Sequence, residues 1–359
     1  MPRNLSPQTM FEKIAGEHKP ICRFGASGKS FAQWKQATWP RVLATLGDFP
    51  RRVPVNPELI AEFEHDGLLK QRWLIDVGPQ LSAVFLINRP RQIRPGEKRP
   101  AILCWHGHGL FGKDVVMGDD SSPEKRASIK QLNYNYGHQM AKAGFITYAI
   151  DWLGHGSLSD KTKPNWHAQH QGPRDSCNLY YLHATMLGMT SLSINVKHGM
   201  AATDFACTFP FVDKNKLGVM GLSGGGTMTA WTALCDRRMK AAEIICYSDL
   251  WACFGIRDIN YCGMQVAPGL FKLVDLPDLQ GLLAPKPLLI DIGAYDTCFQ
   301  VESAKACFKK LQRIYRAAGA ADRLFLDLFP GEHGWGGNKS VEFFGRYLKA
   351  TARVKPASK

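Results

Sequence analysis

A glycine-rich turn in the middle of the chain restricts the fold more than any other segment. Residues 216–230 read KLGVMGLSGGGTMTA: an apolar, strand-like run ends at Gly221, Ser223 follows, and three glycines precede residues that suit a helix. Gly-x-Ser-x-Gly spacing is typical of a sharp strand-to-helix turn, because small neighbours relieve the crowding around a serine in a strained backbone conformation. The pattern predicts a turn that exposes the Ser223 hydroxyl and a helix that begins at Gly224, where unpaired N–H groups favour negative charge. Taken alone, the pentapeptide also fits a loop that only reverses the chain.

Apolar runs alternate with helical patterns on both sides of this turn. The runs have the length and composition of strands buried on both faces, and they cover residues 101–105, 145–150, 217–220, 242–247, 287–292 and 323–329. One long amphipathic helix is predicted from Leu182 to Met200. Repeated strand–helix alternation predicts the α/β class, with a doubly wound, mainly parallel sheet and helices on both faces. Before it, residues 68–76 and 80–88 predict a hairpin or a pair of antiparallel edge strands.

The composition is that of an ordinary folded protein, with 45% hydrophobic and 21% charged residues. We expect residues 1–66 to form an N-terminal extension packed on the core, and residues 67–359 to form one domain. That domain carries insertions at 157–180 and 248–284. Such insertions near a sheet's carboxyl edge either wall a substrate pocket or only pack against the core.

Lys and Arg outnumber Asp and Glu by 45 to 31, a formal net charge of +14. The charges are scattered in ones and twos, and no basic block or nucleic-acid motif accompanies them. We interpret them as a solvated surface, with weak attraction to acidic substrates or polymers as the alternative. No nucleic-acid partner is expected, and the oligomeric state is left open.

The ten cysteines include no C-x-x-C pair and several lie inside apolar runs, which favours buried free thiols. Residues 1–19 lack the continuous apolar segment of a signal peptide, and no later run reaches the length of a membrane span. We therefore expect a cytoplasmic protein with no membrane partner.

Four segments rich in chemically active residues each follow a predicted strand. They are residues 106–109, Ser223, Asp296 and His333. In a sheet of this class, ligands and catalytic groups gather at the carboxyl ends of the strands. A serine is a poor nucleophile and needs a base within hydrogen-bond reach and an acid that orients the base. The chain order serine, aspartate, histidine is the order expected on this architecture.

Together these segments resemble the α/β-hydrolase superfamily over about residues 68–350. Similarity to bacterial acetyl xylan esterases and dienelactone-hydrolase-like carboxylesterases is carried by residues 105–109, 221–226, 287–296 and 331–334. Dienelactone hydrolases carry cysteine at the nucleophile position. Ser223 departs from that pattern, which favours ordinary ester hydrolysis.

The resemblance implies a serine esterase that works through an acyl-enzyme without a cofactor. It makes Ser223 the nucleophile, His333 the base and Asp296 the acid that orients the imidazole. It also implies an oxyanion hole formed by the backbone N–H groups of Gly224 and His108. The implied substrate is a small-molecule or carbohydrate ester with a short acyl or acetyl group.

Each assignment has alternatives. Asp296 could be only a turn residue, with Asp249 or Asp291 as the acid, although Asp291 lies inside a strand and faces away if its neighbours face inward. Other candidates for the base are His106, His108 and His155. His333 is favoured because it follows the last strand in a glycine-flanked loop.

The pair His106 and His108 raises the question of a metal, because H-x-H can open a zinc site. The sequence continues with Gly109 and Leu110 rather than with further ligands, and no H-E-x-x-H occurs. We therefore expect no metal. His106 is also explained as a structural residue that shapes the oxyanion turn, and Asp151 as one that braces a loop.

Apolar and aromatic residues near the predicted strand ends are candidates for a substrate pocket, and each is equally explained by core packing. They are His106, Trp152, Leu222, Trp251 and Trp335. The same fold also carries peptidases, acyltransferases, and lactone or C–C bond hydrolases. A non-catalytic binding protein is disfavoured because serine, acid and histidine all stand in order.

Overall fold

A nine-stranded sheet organises the part of the chain that the computed structural model describes, residues 3–160 and 173–348. Its strands are β1 Glu58–His65, β2 Leu68–Gly78, β3 Leu81–Pro90, β4 Arg99–Trp105, β5 Ile146–Ile150, β6 Val212–Leu222, β7 Met239–Ile245, β8 Leu288–Gly293 and β9 Leu324–Phe329. Their order across the sheet is β1-β2-β3-β5-β4-β6-β7-β8-β9. The first four in this order are antiparallel neighbours and every later pair is parallel. The predicted hairpin is confirmed as β2 and β3.

Helices connect the strands and cover the sheet. They are α1 Pro7–Glu17, α2 Phe31–Ala44, α3 Lys113–Val116, α4 Pro123–Leu132, α5 Tyr136–Lys142, α6 Pro173–Met186, α7 Ser191–Ala206, α8 Gly224–Cys235, α9 Leu270–Leu273, α10 Leu276–Gly281, α11 Val301–Ala317 and α12 Ser340–Tyr347. The predicted α/β class and the mainly parallel sheet are confirmed. No helix in the described residues is long and apolar enough to cross a bilayer.

Two apolar layers lie on opposite faces of the sheet, because successive side chains of a strand point in opposite directions. Leu103, Trp105 and Val219 belong to one buried cluster, whereas Cys104 and Met220 belong to the other. Central strands with apolar residues at both sets of positions must be covered on both sides. This explains why the sequence shows continuous apolar runs rather than alternation.

The prediction of one helix from Leu182 to Met200 is wrong, because two helices occupy this region. Helix α6 ends before Gly188, which has a φ of +77°. The Thr190 hydroxyl then accepts a hydrogen bond from the Ser193 N–H at 3.0 Å, and the Ser193 hydroxyl accepts one from the Thr190 N–H at 3.2 Å. This reciprocal capping box starts α7 as a new helix.

The first 66 residues supply α1, α2 and the edge strand β1. The backbone N–H of Cys22 donates to the Leu273 carbonyl at 2.7 Å, and the buried Trp34 indole donates to the Cys22 carbonyl at 2.7 Å. This segment therefore packs on the insertion at 248–284. The other insertion, predicted at 157–180, lies partly outside the described residues, and its final part opens α6. The division into an extension and a domain stays a prediction.

We predict that Trp34→Ala lowers the free energy of unfolding by about 3–5 kcal/mol, because it removes a buried aromatic side chain. Urea unfolding followed by fluorescence or circular dichroism measures the change. The control is Phe11→Ala on α1, where the side chain is 53% exposed and the expected change is within about 0.5 kcal/mol. Equal midpoints for the two variants would show that the N-terminal segment does not contribute to the stability of the domain.

Candidate active site

Ser223 occupies the sharp turn between β6 and α8 with a φ of +59° and a ψ of −121°. Positive φ is unfavourable for a residue with a side chain and is found where the surroundings fix the backbone. A Cβ on Gly221 would lie 2.5 Å from the Gly225 carbonyl oxygen, and one on Gly225 would lie 2.3 Å from the Trp105 carbonyl oxygen. Both positions therefore need glycine, and the turn presents a half-buried Ser223 at the edge of the sheet.

Asp296 and His333 contact each other at the carboxyl ends of β8 and β9. The His333 Nδ1 atom lies 2.8 Å from the Asp296 Oδ2 atom. The other oxygen, Oδ1, accepts hydrogen bonds from the backbone N–H groups of Cys298 at 2.7 Å and Phe299 at 2.9 Å. The Asp296 side chain is 1% exposed and that of His333 is 19% exposed. The aspartate is thus fixed and buried, while the imidazole reaches solvent.

Burial opposes the ionisation of Asp296, yet its pKa lies below the usual value. The hydrogen bond and charge of His333 and the two backbone N–H groups outweigh the desolvation. The ring of Phe299 lies nearly parallel to that of His333, at a centroid distance of 5.7 Å and an angle of 9°. The carboxylate and the phenyl ring together restrict the orientation of the imidazole.

The end of β7 lies between Ser223 and the loop of His333. The Ser223 N–H donates to the Ile245 carbonyl at 2.8 Å, and the Cys246 thiol donates to the Gly334 carbonyl at 3.2 Å. Within the described residues the Ser223 hydroxyl forms no hydrogen bond, and His333 is hydrogen-bonded through Nδ1 to Asp296. Catalytic hydrogen bonds are often long without substrate.

The two alternative acids lie elsewhere. Asp249 accepts hydrogen bonds from the Ser303 hydroxyl and from the Leu250 N–H. Asp291 lies within β8, fully buried in the sheet. Burial raises the pKa of Asp249 to about 6 and that of Asp291 well above its usual value. Of the three candidates, the structure places Asp296 against His333.

The loop after β4 lies against the turn of Ser223. The Gly107 N–H donates to the Tyr134 hydroxyl at 2.6 Å, and a Cβ on Gly107 would lie 3.2 Å from the Ser223 Cβ. A Cβ on Gly224 would lie 2.9 Å from the His108 Cε1 atom. The two residues predicted to form the oxyanion hole, Gly224 and His108, are therefore neighbours in space.

His106 is buried below this loop. Its Nδ1 atom lies 2.7 Å from the Trp152 indole nitrogen, and its Nε2 atom lies 3.4 Å from an Asp151 carboxylate oxygen. Burial lowers the pKa of His106 to about 3 although Asp151 opposes the shift, so the ring is neutral. Asp151 also accepts hydrogen bonds from Lys113 and Ser157. These contacts join the loops that follow β4 and β5.

The predicted pocket residues are buried. His106 and Trp152 have no exposed surface, and Leu222 has almost none. Trp251 lines a cavity of about 250 Å³ whose lining does not include Ser223. Trp335 lies in the opposite apolar layer, where its indole donates to Glu243 and Ser340. Their contact with a substrate stays a prediction.

Four residues near the site were missed by the sequence analysis. They are Tyr134, Glu243, Cys246 and Phe299. Glu243 carried a signal, because it is an acidic residue among the apolar residues at 241–245 of β7. The other three match no spacing that distinguishes them from core residues.

Comparison with known proteins shows the family to which the chain belongs. A sequence model of the Abhydrolase family matches residues 2–324. The chain belongs to this family. It is 24% identical over 279 residues to YtaP of Bacillus subtilis (strain 168), a protein named as a hydrolase, and the match covers 77% of this chain and 86% of YtaP.

Solved structures share the fold. One, named as an acetyl xylan esterase from Bacteroides fragilis NCTC 9343, superposes with a TM-score of 0.71 at 18% identity and covers 91% of this chain and 83% of that chain. A glucuronoyl esterase from Solibacter usitatus superposes with a TM-score of 0.66 at 12% identity, covering 92% of this chain and 97% of that chain. The α/β-hydrolase fold expected from the sequence is confirmed.

The opposite pKa shifts of Asp296 and Asp249 predict opposite pH dependences of stability. The lowered pKa of Asp296 contributes stability above about pH 4 that is lost as the pH falls through the folded-state pKa. The raised pKa of Asp249, about 6, contributes stability below about pH 4 that is lost as the pH rises to about 6.

We therefore expect Asp296→Asn to lose less stability than the wild type on acidification from pH 6 to pH 3. We expect Asp249→Asn to lose less stability than the wild type as the pH rises from 4 to 7. Denaturant unfolding at each pH gives the free energy of unfolding, and its slope against pH is compared for the wild type and the two variants. Parallel curves for the three proteins would contradict the assigned environments.

Proposed function

We propose that this hydrolase cleaves carboxylic esters through an acyl-enzyme on Ser223. The observation that carries the proposal is the 2.8 Å contact between His333 and Asp296, at the same sheet edge as the strained turn of Ser223. The chain order and the ends of β6, β8 and β9 match what nucleophile, acid and base require on this fold.

The contact with Asp296 determines which nitrogen of His333 acts on the serine. With Nδ1 bonded to the carboxylate, Nε2 is left to accept the proton of the Ser223 hydroxyl as Oγ attacks the ester carbonyl. The same proton then passes to the leaving alcohol as the C–O bond breaks. Water, deprotonated by His333, releases the acid from Ser223. Asp296 stays ionised and stabilises the imidazolium that forms twice.

Two backbone N–H groups are proposed to bind the negative oxygen that develops on the carbonyl. Gly224 is the first residue of α8, and its N–H has no partner within the helix. In the loop after β4, the Gly107 N–H already donates to Tyr134, which leaves the neighbouring His108 N–H as the second donor. The loss of one such donor typically raises the barrier by about 3 kcal/mol.

A short acyl group, such as acetyl, suits this site. Beside Gly224, a Cβ would lie 2.5 Å from the Trp152 ring and 2.9 Å from the His108 ring, so the two rings close the space next to the oxyanion donors. The acetyl xylan esterase that shares the fold supports an acetylated carbohydrate as the substrate class. A peptidase, acyltransferase, or lactone or C–C bond hydrolase would use the same residues on another bond.

We expect Ser223→Ala and His333→Ala to lower the turnover of p-nitrophenyl acetate by a factor on the order of 10⁴ or more, because nucleophile and base act as a unit. Wild-type protein should release a burst of p-nitrophenol when deacylation is slower than acylation. His183→Ala on the exposed side of α6 is the control. Wild-type turnover in Ser223→Ala would refute the assigned nucleophile.

We expect Asp296→Asn to lower kcat by about 10³–10⁴-fold, because the amide favours the wrong tautomer of His333. Asp249→Asn is the matched control, since it replaces another buried carboxylate near a strand end that does not contact His333. Steady-state rates on p-nitrophenyl acetate compare the two. A larger loss in the Asp249 variant would reassign the acid.

A further inference from the structure

Two histidines and two cysteines from four separate segments lie close together at the loop that follows β4. His108 follows β4, His155 follows β5, Cys177 lies on α6 and Cys262 lies in the insertion at 248–284. One ligand atom from each of His108, His155 and Cys177 lies within 4.8 Å of the other two. The Cys262 sulfur lies 3.1 Å from the His108 Nε2 atom and hydrogen-bonds Cys177. We propose that these four side chains bind one zinc ion.

The separations fit tetrahedral zinc. Zn–N bonds of about 2.0–2.1 Å and Zn–S bonds of about 2.3 Å place the ligand atoms roughly 3.3–3.8 Å apart. The His108–Cys262 distance is already close to this range. The ligand atoms of His108, His155 and Cys177 lie within 4.8 Å of one another, so side-chain displacements of about 1 Å bring them into this range. Cys262 lies outside that group of three and reaches the ion by moving together with His108 and Cys177, the two side chains that it contacts.

His155 is already oriented as a ligand. Its Nδ1 atom lies 3.3 Å from the Leu153 carbonyl oxygen, and its ring stacks on Trp152 at 4.7 Å. Its Nε2 atom is buried and has no hydrogen-bond partner in the described residues. A backbone carbonyl on one ring nitrogen commonly fixes the tautomer that offers the other nitrogen to a metal.

The charges of the zinc ion and its four ligands cancel. Binding of Zn²⁺ releases the two thiol protons to solvent, so two thiolates and two neutral imidazoles surround the dication with no net charge. A neutral set of this kind suits a buried position.

Four protein ligands leave no position for water, so this zinc is structural rather than catalytic. It would tie the loop of His108 to the loop after β5, to α6 and to the insertion. The sequence analysis expected no metal because no further ligands follow His106 and His108 and no H-E-x-x-H occurs. The zinc site itself stands independently of the proposed function. Only its effect on activity, through the position of the His108 N–H, rests on that function.

Metal content tests the proposal directly. The full chain is exposed to zinc, dialysed and analysed by inductively coupled plasma mass spectrometry, and we expect one zinc per chain. Cys177→Ala and Cys262→Ala should each lose most of the metal, whereas Cys207→Ala, a thiol outside the cluster, should keep it. A wild-type protein without zinc, or a Cys262→Ala variant with the wild-type zinc content, would overturn the proposal.

A second measurement does not depend on the folding of the variants. Wild-type protein stripped with a chelator and titrated with Co²⁺ should show a thiolate-to-cobalt charge-transfer band that saturates at one equivalent. The absence of this band, or a Cys177–Cys262 disulfide in protein purified without oxidant, would refute the site. Ser223→Ala should bind zinc as the wild type does, so failure of the esterase proposal and failure of the zinc proposal are distinguishable.

Discussion

The close approach of α8 to the end of β4 is the contact on which the rest of the site depends. There is no room for a side chain at Gly225, where a Cβ would lie 2.3 Å from the Trp105 carbonyl oxygen. The same oxygen accepts a hydrogen bond from the buried Tyr136 hydroxyl. The first turn of α8 is therefore fixed against β4, the strand that leads into the loop at residues 106–109. The strained φ of Ser223 is maintained because neither partner can move away without exposing a buried layer.

The loop of His333 is anchored from below by acids inside the sheet. Glu243 on β7 accepts hydrogen bonds from Trp335 and Ser340, and Asp327 on β9 accepts two from Asn338. Asp291 lies opposite Asp327 in the register of β8 and β9. Burial raises the pKa of Glu243 to about 7, so these acids are expensive to bury and need partners. The partners of Glu243 and Asp327 lie in the residues that follow His333, which explains why these two strands carry carboxylates.

The sequence predicted the parts of the structure that depend on local signals. Buried runs marked the strands, and the residue types after them marked Ser223, Asp296 and His333 as candidates, because ligands gather at the carboxyl ends of the strands in such a sheet. The single helix predicted from apolar spacing was wrong, because the chain turns at Gly188 and Thr190 caps the start of a second helix. The meeting of Cys177 and Cys262 with two histidines was beyond prediction, because tertiary packing alone brings four separate segments together.

The two proposed oxyanion donors are held by different kinds of contact. The Gly224 N–H is fixed by the steric fit of the turn, which is local in sequence and tolerates no side chain. The His108 N–H belongs to a loop in which the preceding amide, that of Gly107, donates to Tyr134, and the His108 ring contacts Cys262 in a distant insertion. Substitutions in the insertion can therefore shift the His108 N–H without changing a contact of Ser223, His333 or Asp296. In the proposed mechanism, the turn therefore positions the nucleophile Ser223, while the position of the second oxyanion donor depends on long-range packing around His108.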